Sequence, residues 1–235
     1  MNLLRNNIPN AITCLNVACG TLAIMAAARP FTITPIGLQG YQTAMLMIAL
    51  AAVADFLDGF AARMLGAVSA IGKELDSLCD LVSFGVAPAM ILYHLTSAAH
   101  PDSLMPLAAA LIAVAGALRL ARFNVDTRQT TSFIGLPIPA NALFWIGFCW
   151  FYATHHEAVP IWAVAPLVVL LSWLMNSPLP MFSLKMHNFS VRAAWPQYAL
   201  LAGAVGLIAL LGVTGLAATI VLYVILSIAA KLCQD

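Results

Sequence analysis

Of the 235 residues, 63% are apolar and only 8% are charged, and the formal net charge is +1. A soluble domain is about half apolar and about a quarter charged, so this composition excludes an ordinary cytosolic globule. It also excludes a disordered chain, which needs low hydrophobicity and high charge. The few basic residues give no positive surface for nucleic acid. The composition therefore predicts an integral membrane protein.

Long stretches without charge predict membrane-spanning helices, because about 20 helical residues cross a hydrocarbon core of roughly 30 Å. We expect an all-α, polytopic bundle of about eight transmembrane helices, at 8–28, 41–64, 73–97, 103–124, 139–154, 159–175, 196–211 and 214–232. The last two form a hairpin folded between Gly212 and Gly215. Seven helices remain an alternative, if that last stretch is one tilted helix plus a re-entrant piece. We treat 1–235 as one membrane domain, with a core of about 1–190 and a C-terminal hairpin in 193–235.

The basic residues predict the orientation of the bundle. With the N-terminus in the cytoplasm, alternating helices place only Arg29 outside. The lysines and arginines that fall inside are Arg5, Arg63, Lys73, Arg119, Arg122, Arg128, Lys185, Arg192 and Lys231. An even number of helices keeps Lys231 inside, which favours eight over seven. Both termini are therefore expected in the cytoplasm.

Acidic residues concentrate in one short part of the chain. Five of the nine lie there: Asp55, Asp58, Glu74, Asp76 and Asp80. The two aspartates of each predicted helix are three or four positions apart, so each pair shares a helix face. A short turn around 65–72 makes the two helices antiparallel neighbours. The four aspartates are thus expected to converge near the cytoplasmic ends of their helices.

Carboxylates inside a membrane are costly unless a cation binds them, since each costs about 2.5–3.5 kcal/mol at a helix centre. Arg63 and Lys73 could pair with them, but two cations are too few for this cluster. Hard divalent ions such as Mg²⁺ or Mn²⁺ prefer oxygen ligands, and four carboxylates suit a pair of ions. Paired metals can polarise a phosphoryl group during a displacement.

Arg63 can bind a phosphate with two hydrogen bonds. Glu74 is better explained as a charge at a helix N-terminus.

The run D-x-x-D-G-x-x-A-R-(x8)-G-x-x-x-D-x-x-x-D begins at Asp55 and ends at Asp80. It resembles the signature of the CDP-alcohol phosphotransferases, with every fixed position present. The resemblance implies a membrane enzyme with a six-helix core that displaces CMP from a CDP-linked substrate by attack of a hydroxyl. Family members are often homodimers, and the sequence leaves that state open for this chain.

The resemblance also implies residue roles. Metal ions would be held by Asp55, Asp58, Asp76 and Asp80, and Asp80 would also act as the general base. The CDP moiety would be contacted by Gly59, Arg63 and Ser69, and by Pro9, Asn10 and Thr13 of the first helix, whose run Ile8–Thr13 is similar to the family's nucleotide-contacting element.

Three further stretches, at 83–88, 118–124 and 133–140, resemble the bacterial and archaeal membrane-embedded phosphatidylserine synthases. That resemblance implies CDP-diacylglycerol and L-serine as substrates, in the cytoplasmic (inner) membrane with the site facing the cytoplasm. Arg119 or Arg122 could bind the serine carboxylate, and Ser83 or Asn124 could orient its ammonium group. For the two arginines, ordinary anchoring at the cytoplasmic face is the competing explanation.

Two rival functions remain open at this point. The acceptor could be glycerol 3-phosphate or inositol, although a phosphorylated acceptor would call for a denser basic pocket. Alternatively, the chain could be a cation-coupled transporter with an acidic site inside the membrane. A transporter of that kind predicts inverted repeats or broken helices in both halves, whereas the acids occupy one predicted helix pair.

Overall fold

The structure is a computed structural model that describes residues 2–67, 69–125, 133–155, 158–183 and 194–232. In these ranges the helices are α1 Asn2–Ala27, α2 Gly40–Leu65, α3 Ala70–Asp80, α4 Ala87–Ala99, α5 Ala110–Val125, α6 Ile138–His155, α7 Ile161–Asn176, α8 Trp195–Leu211 and α9 Gly215–Leu232. Two short strands, β1 Phe133–Ile134 and β2 Pro180–Met181, pair antiparallel. They join the segment before α6 to the segment after α7.

Several helical stretches have the length and composition needed to cross a bilayer. Among the described residues there are five: Asn7–Ala27, Gly40–Leu65, Ala70–Ala99, Met105–Val125 and Trp195–Leu232. Large apolar side chains such as Leu50, Val53, Leu201 and Val205 are exposed on their outer faces, as expected where lipid replaces water. The chain is therefore an all-α integral membrane protein, as the composition predicts, while the number of crossings and the sidedness stay predictions.

The helix boundaries differ from the predicted ones where polar residues extend a helix or proline changes it. α1 begins at Asn2 rather than at residue 8 and contains Pro9 inside the helix, because the helix continues beyond the apolar run that guided the prediction. The predicted helix 103–124 begins with a 3₁₀ turn, Met105–Ala109, before α5. Pro106 lies in the first turn, where its missing N–H costs nothing.

The predicted helix 73–97 is one continuous helical stretch with a change of winding in its middle. α3 runs directly into a π-helical segment, Leu81–Val86, which runs into α4. Pro88 has no N–H to donate to the carbonyl of Phe84, so the α-helical hydrogen-bond pattern is interrupted at this level. The wider turn follows immediately after Asp80.

One end of the bundle collects the helix termini that carry the predicted site. α2 ends at Gly66, whose φ of 58° lies in the left-handed region, and α3 begins after the cap residue Ser69. Lys73 Nζ donates to the backbone carbonyl of Asn124 at 3.0 Å, which joins the start of α3 to the end of α5. We call this end, where α1 and α3 begin and α2 and α5 end, the site end.

The C-terminal stretch folds back on itself. α8 and α9 are joined by a 3₁₀ turn, Gly212–Thr214, and Gly212 has a φ of 59°. A Cβ at Gly203 would collide with the side chain of Leu222 on α9, so the two helices pack closely. α9 also crosses α6 at Gly147, which attaches the hairpin to the rest of the bundle.

Candidate active site

Three carboxylates meet at the site end. Asp55 comes from α2, and Asp76 and Asp80 come from α3, one turn apart. One carboxylate oxygen from each lies within 4.8 Å of the other two. The grouping follows from the α2–α3 turn together with the four-residue spacing on α3. Negative charges this close repel each other unless a cation lies between them.

Asp58 lies beside this group of three rather than within it. Its side chain is only 5% exposed, and it lines a neighbouring cleft together with Asp76. The Oδ2 atom of Asp58 and the Oδ1 atom of Asp76 are buried without a hydrogen-bond partner among the described residues. Buried carboxylate oxygens with no donor are costly, and a bound cation would remove that cost.

The neighbouring cleft has a volume of about 200 Å³ and lies between α1, α2 and the start of α3. Five of the six residues predicted to contact the CDP moiety line it: Pro9, Asn10, Thr13, Gly59 and Ser69. The sixth, Arg63, is adjacent, because its Nη1 atom lies 4.0 Å from where a Cβ on Gly59 would be. The structure thus brings the first-helix residues and the signature residues together.

Local backbone chemistry shapes the cleft. The backbone N–H of Gly72 donates to Ser69 Oγ at 3.0 Å, which caps α3. A Cβ at Gly72 would lie 3.0 Å from Ser69 Oγ and 3.2 Å from Asn10 Oδ1. Glycine at this position therefore allows α1 to approach the start of α3.

Ala62, a fixed position of the signature, and Lys73, named above as a possible partner of the aspartates, also line the cleft. Two residues at the site were not identified from the sequence: Ala67, which lines the cleft, and Asn16. Asn16 of α1 donates a hydrogen bond from Nδ2 to Asp80 Oδ1 at 3.2 Å. A signal was available for Asn16, because it is a polar residue in an apolar helix, three positions after Thr13.

Large apolar side chains are exposed close in sequence to the residues that line the cleft. Four of them are Ile8, Phe60, Met64 and Ile71. We call these four residues the apolar rim. Exposed apolar side chains at the site end are compatible with surrounding lipid.

Comparison with known proteins assigns the family. A family model described as CDP-alcohol phosphatidyltransferase matches residues 6–232. The chain belongs to this family. The match includes both the acidic group and the cleft, so the signature resemblance is confirmed over nearly the whole chain.

Individual members of the CDP-alcohol phosphatidyltransferase family are clearly similar. The CDP-diacylglycerol–serine O-phosphatidyltransferase of Methanocaldococcus jannaschii is 42% identical over 142 residues, which are 60% of this chain and 60% of that protein. The protein of the same name from Mycobacterium bovis is 34% identical over 228 residues, 93% of this chain and 72% of that one. An archaetidylserine synthase from Methanothermobacter thermautotrophicus is 35% identical over 69% of this chain and 66% of its own length.

A divalent metal fits the acidic group. The ligands are all carboxylate oxygens, which Mg²⁺ and Mn²⁺ prefer, and two buried oxygens there find no donor in the part of the chain that the structure describes. Asp55, Asp76 and Asp80 could hold one ion directly, and Asp58 stands beside them toward the cleft.

The residues predicted to bind serine have a different environment. Ser83 is fully buried, and its Oγ donates to the carbonyl of Asn16 at 3.0 Å. Asn124 donates from Nδ2 to Ser77 Oγ at 2.9 Å, joining α5 to α3. Both side chains hold helices together in the structure.

The two arginines of α5 also differ from each other. Arg119 is 8% exposed, and its Nη1 donates to the carbonyls of Ile134 and Met175, each at 2.9 Å. It thereby links α5 to β1 and to the end of α7. Arg122 is exposed and makes one longer hydrogen bond, 3.4 Å, to the carbonyl of Asn176. Arg119 is an internal crosslink, whereas Arg122 has most of its guanidinium available.

Proposed function

We propose that this chain transfers the phosphatidyl group of CDP-diacylglycerol to the hydroxyl of L-serine, forming phosphatidylserine and releasing CMP. The observation that carries the proposal is the cleft, in which the first-helix residues and the signature residues adjoin the acidic group. The names of the similar proteins support serine as the acceptor. The archaetidylserine synthase among them leaves open whether the lipid is a diacyl or an ether form.

The donor binds in the cleft with its acyl chains along the apolar rim and its pyrophosphate toward Asp58 and Asp76. Arg63 and Lys73 contribute positive charge to the phosphates, Arg63 with two hydrogen bonds. Pro9, Asn10 and Thr13 of α1, with Gly59 and Ser69, contact the cytidine portion. Small residues at Gly59 and Ala62 leave room for the nucleotide to lie against α2.

Asp55, Asp58, Asp76 and Asp80 would hold two divalent ions, Mg²⁺ or Mn²⁺, which would supply charge neutralisation for the pyrophosphate and for the leaving phosphate. Asp80 accepts the proton of the serine hydroxyl. The serine Oγ forms a bond to the phosphorus that carries the lipid, the bond from that phosphorus to the bridging oxygen breaks, and CMP leaves with the electron pair.

For the acceptor, Arg122 is a better candidate than Arg119 for the serine carboxylate. A guanidinium already donating to two carbonyls would have to break those bonds to bind substrate, whereas Arg122 is exposed with one weak bond. The assignments of Ser83 and Asn124 to the serine ammonium remain predictions, because their side chains are engaged between helices.

The site end faces the cytoplasm, in an inner membrane that the chain crosses about eight times, with both termini inside. Supporting this orientation, Arg63, Lys73, Arg119 and Arg122 lie at the site end, near helix termini, whereas Arg29 follows the opposite end of α1. Basic residues favour the cytoplasmic side. A homodimer is compatible with this arrangement.

The test is a release assay with purified protein, CDP-diacylglycerol, Mn²⁺ or Mg²⁺, and one acceptor at a time: serine, glycerol 3-phosphate or inositol. We expect CMP release and labelled phosphatidylserine only with serine, and no release after chelation with EDTA until metal is restored. CMP release that depends on another alcohol would overturn the assignment of serine. Release that persists after exhaustive chelation would overturn the metal assignment.

A further inference from the structure

The first helix reaches the acidic group through Asn16, which has no assigned role. Its Nδ2 donates to Asp80 Oδ1 at 3.2 Å, a contact between residues 64 positions apart in the chain. The Asn16 side chain is 0% exposed, so its amide is enclosed between helices. The contact is made to the carboxylate that we propose as the general base.

Neighbouring contacts hold Asn16 in register with Asp80. Ser83, in the π-helical segment just after Asp80, donates from Oγ to the backbone carbonyl of Asn16 at 3.0 Å. One turn further along α1, a Cβ at Gly20 would collide with Ser83. Glycine therefore lets α1 lie directly against the π-helical segment, and the donor and the acceptor of the Asn16–Asp80 bond are both fixed.

The oxygen of the Asn16 side-chain amide is also informative. Asn16 Oδ1 is buried and has no hydrogen-bond partner among the described residues. Burying an unpaired amide oxygen costs roughly 1–3 kcal/mol, and a leucine of similar size would avoid that cost. Within the described part of the chain, the bond to Asp80 is the only one that the amide makes, so stability alone does not account for an asparagine here.

We propose that Asn16 is a positioning residue for Asp80, an inference that rests on the proposed function. One neutral donor at Asp80 Oδ1 fixes the carboxylate and leaves its remaining lone pairs for the acceptor hydroxyl and for an ion that Asp80 would hold together with Asp55 and Asp76. An arginine or lysine in this place would also neutralise the charge that a metal ion and the serine proton require. Residues that orient a metal-binding carboxylate typically change metal affinity or activity by about 10- to 100-fold.

The experiment compares Asn16→Leu, which removes the amide at similar volume, with the wild-type protein and with Thr96→Val. Thr96 is a matched control, because it is also 0% exposed but donates only to backbone carbonyls of its own helix, α4. We measure Mn²⁺ affinity by electron paramagnetic resonance without substrates, and separately kcat and the KM for CDP-diacylglycerol. We expect Asn16→Leu to weaken Mn²⁺ binding about tenfold and to lower kcat about 10- to 100-fold. The KM and the Tm should stay close to wild type.

A second variant keeps the inference falsifiable if Asn16→Leu does not fold. Asn16→Ala removes the amide without adding bulk or charge, so kcat should fall at least as far. Wild-type kcat in Asn16→Ala, or unchanged Mn²⁺ affinity and kcat in Asn16→Leu, would overturn the role. If the Asn16 variants instead lose both Tm and affinity for CDP-diacylglycerol, Asn16 serves helix packing rather than the positioning of Asp80. If the wild type binds Mn²⁺ but releases no CMP with serine, the proposed function fails alone, and the Mn²⁺ comparison still decides the role of Asn16.

Discussion

The proposed donor side and the proposed acceptor side of the site differ in how far their polar groups are already used by the protein. On the donor side, around the cleft, the carboxylates of Asp58 and Asp76 each have a buried oxygen without a donor among the described residues. On the acceptor side, Arg119, Ser83 and Asn124 are all hydrogen-bonded between helices. Unused buried polar atoms indicate a ligand, whereas fully used ones indicate structure.

This difference distinguishes two roles of a polar residue in an apolar helix, namely ligand binding and hydrogen bonding within the fold. Sequence treats Asp58 and Arg119 alike, since each is a charged residue at the inner end of a predicted crossing. In the structure, Asp58 has a buried oxygen that finds no donor among the described residues, whereas Arg119 joins α5 to β1 and α7. Of the two arginines of α5, Arg122 is the exposed one and has the spare donors that a carboxylate substrate needs.

The largest expected effect is at the acidic group. Asp80→Asn removes the proposed proton acceptor while keeping shape and volume, so we expect kcat to fall about 10³-fold or more with the Tm near wild type. The matched control is Asp102→Asn, which changes an exposed acid in the turn between α4 and α5 and should leave kcat unchanged. The kcat of each variant is measured as the rate of CMP release at saturating serine. Substantial turnover by Asp80→Asn would remove Asp80 as the base.

Substitutions of the two arginines of α5 should have opposite effects: Arg119→Ala should lower the stability, and Arg122→Ala should lower the affinity for serine. Arg119→Ala leaves two carbonyls without their charged donor, so we expect a loss of about 3 kcal/mol in stability and a clearly lower Tm. Its KM for serine should stay within about twofold, measured at a temperature where the variant is folded.

Arg122→Ala should do the reverse, with an unchanged Tm and a KM for serine raised about tenfold, which corresponds to about 1.4 kcal/mol. A tenfold higher KM in Arg119→Ala, with normal serine affinity in Arg122→Ala, would invert the comparison and return the carboxylate site to Arg119.

A smaller effect is expected where α1 approaches α3. In Gly72→Ala the new Cβ would press on Ser69 Oγ and Asn10 Oδ1, shifting the wall of the donor cleft by a few tenths of an ångström. We expect the KM for CDP-diacylglycerol to rise about fivefold, or about 1 kcal/mol, with the KM for serine unchanged. Gly206→Ala in α8 is a suitable control, because a Cβ there meets nothing within 4 Å. Equal changes in both KM values would indicate that the cleft does not serve the donor alone.

Much of the architecture could be predicted because hydrocarbon imposes simple rules. Charge-free stretches gave the helices to within a few residues at most ends, and the spacing of Asp76 and Asp80 predicted their shared face. The sequence did not predict features that leave no periodic pattern of apolar residues. The change to π-helical winding after Asp80 follows from hydrogen-bond register and Pro88, and composition carries no trace of it.

Side-chain partners were the second limit. The bond from Asn16 to Asp80 joins α1 to α3 across 64 positions in the chain, so no local pattern predicts it. The engagement of Arg119 depends on β1, a two-residue strand that is too short for any alternation to show. Residues that bind a substrate and residues that bind the backbone use the same chemistry, and only the structure separates them.

The apolar rim has a consequence for how the proposed activity is to be measured. In the proposed binding mode, with the acyl chains along Ile8, Phe60, Met64 and Ile71, a lipid donor approaches sideways without leaving the bilayer, and a lipid product departs by the same path. The encounter then takes place in two dimensions. Diluting the donor lipid among inert lipids or detergent should slow the reaction even when its amount per millilitre is constant, whereas adding buffer at fixed lipid composition should not.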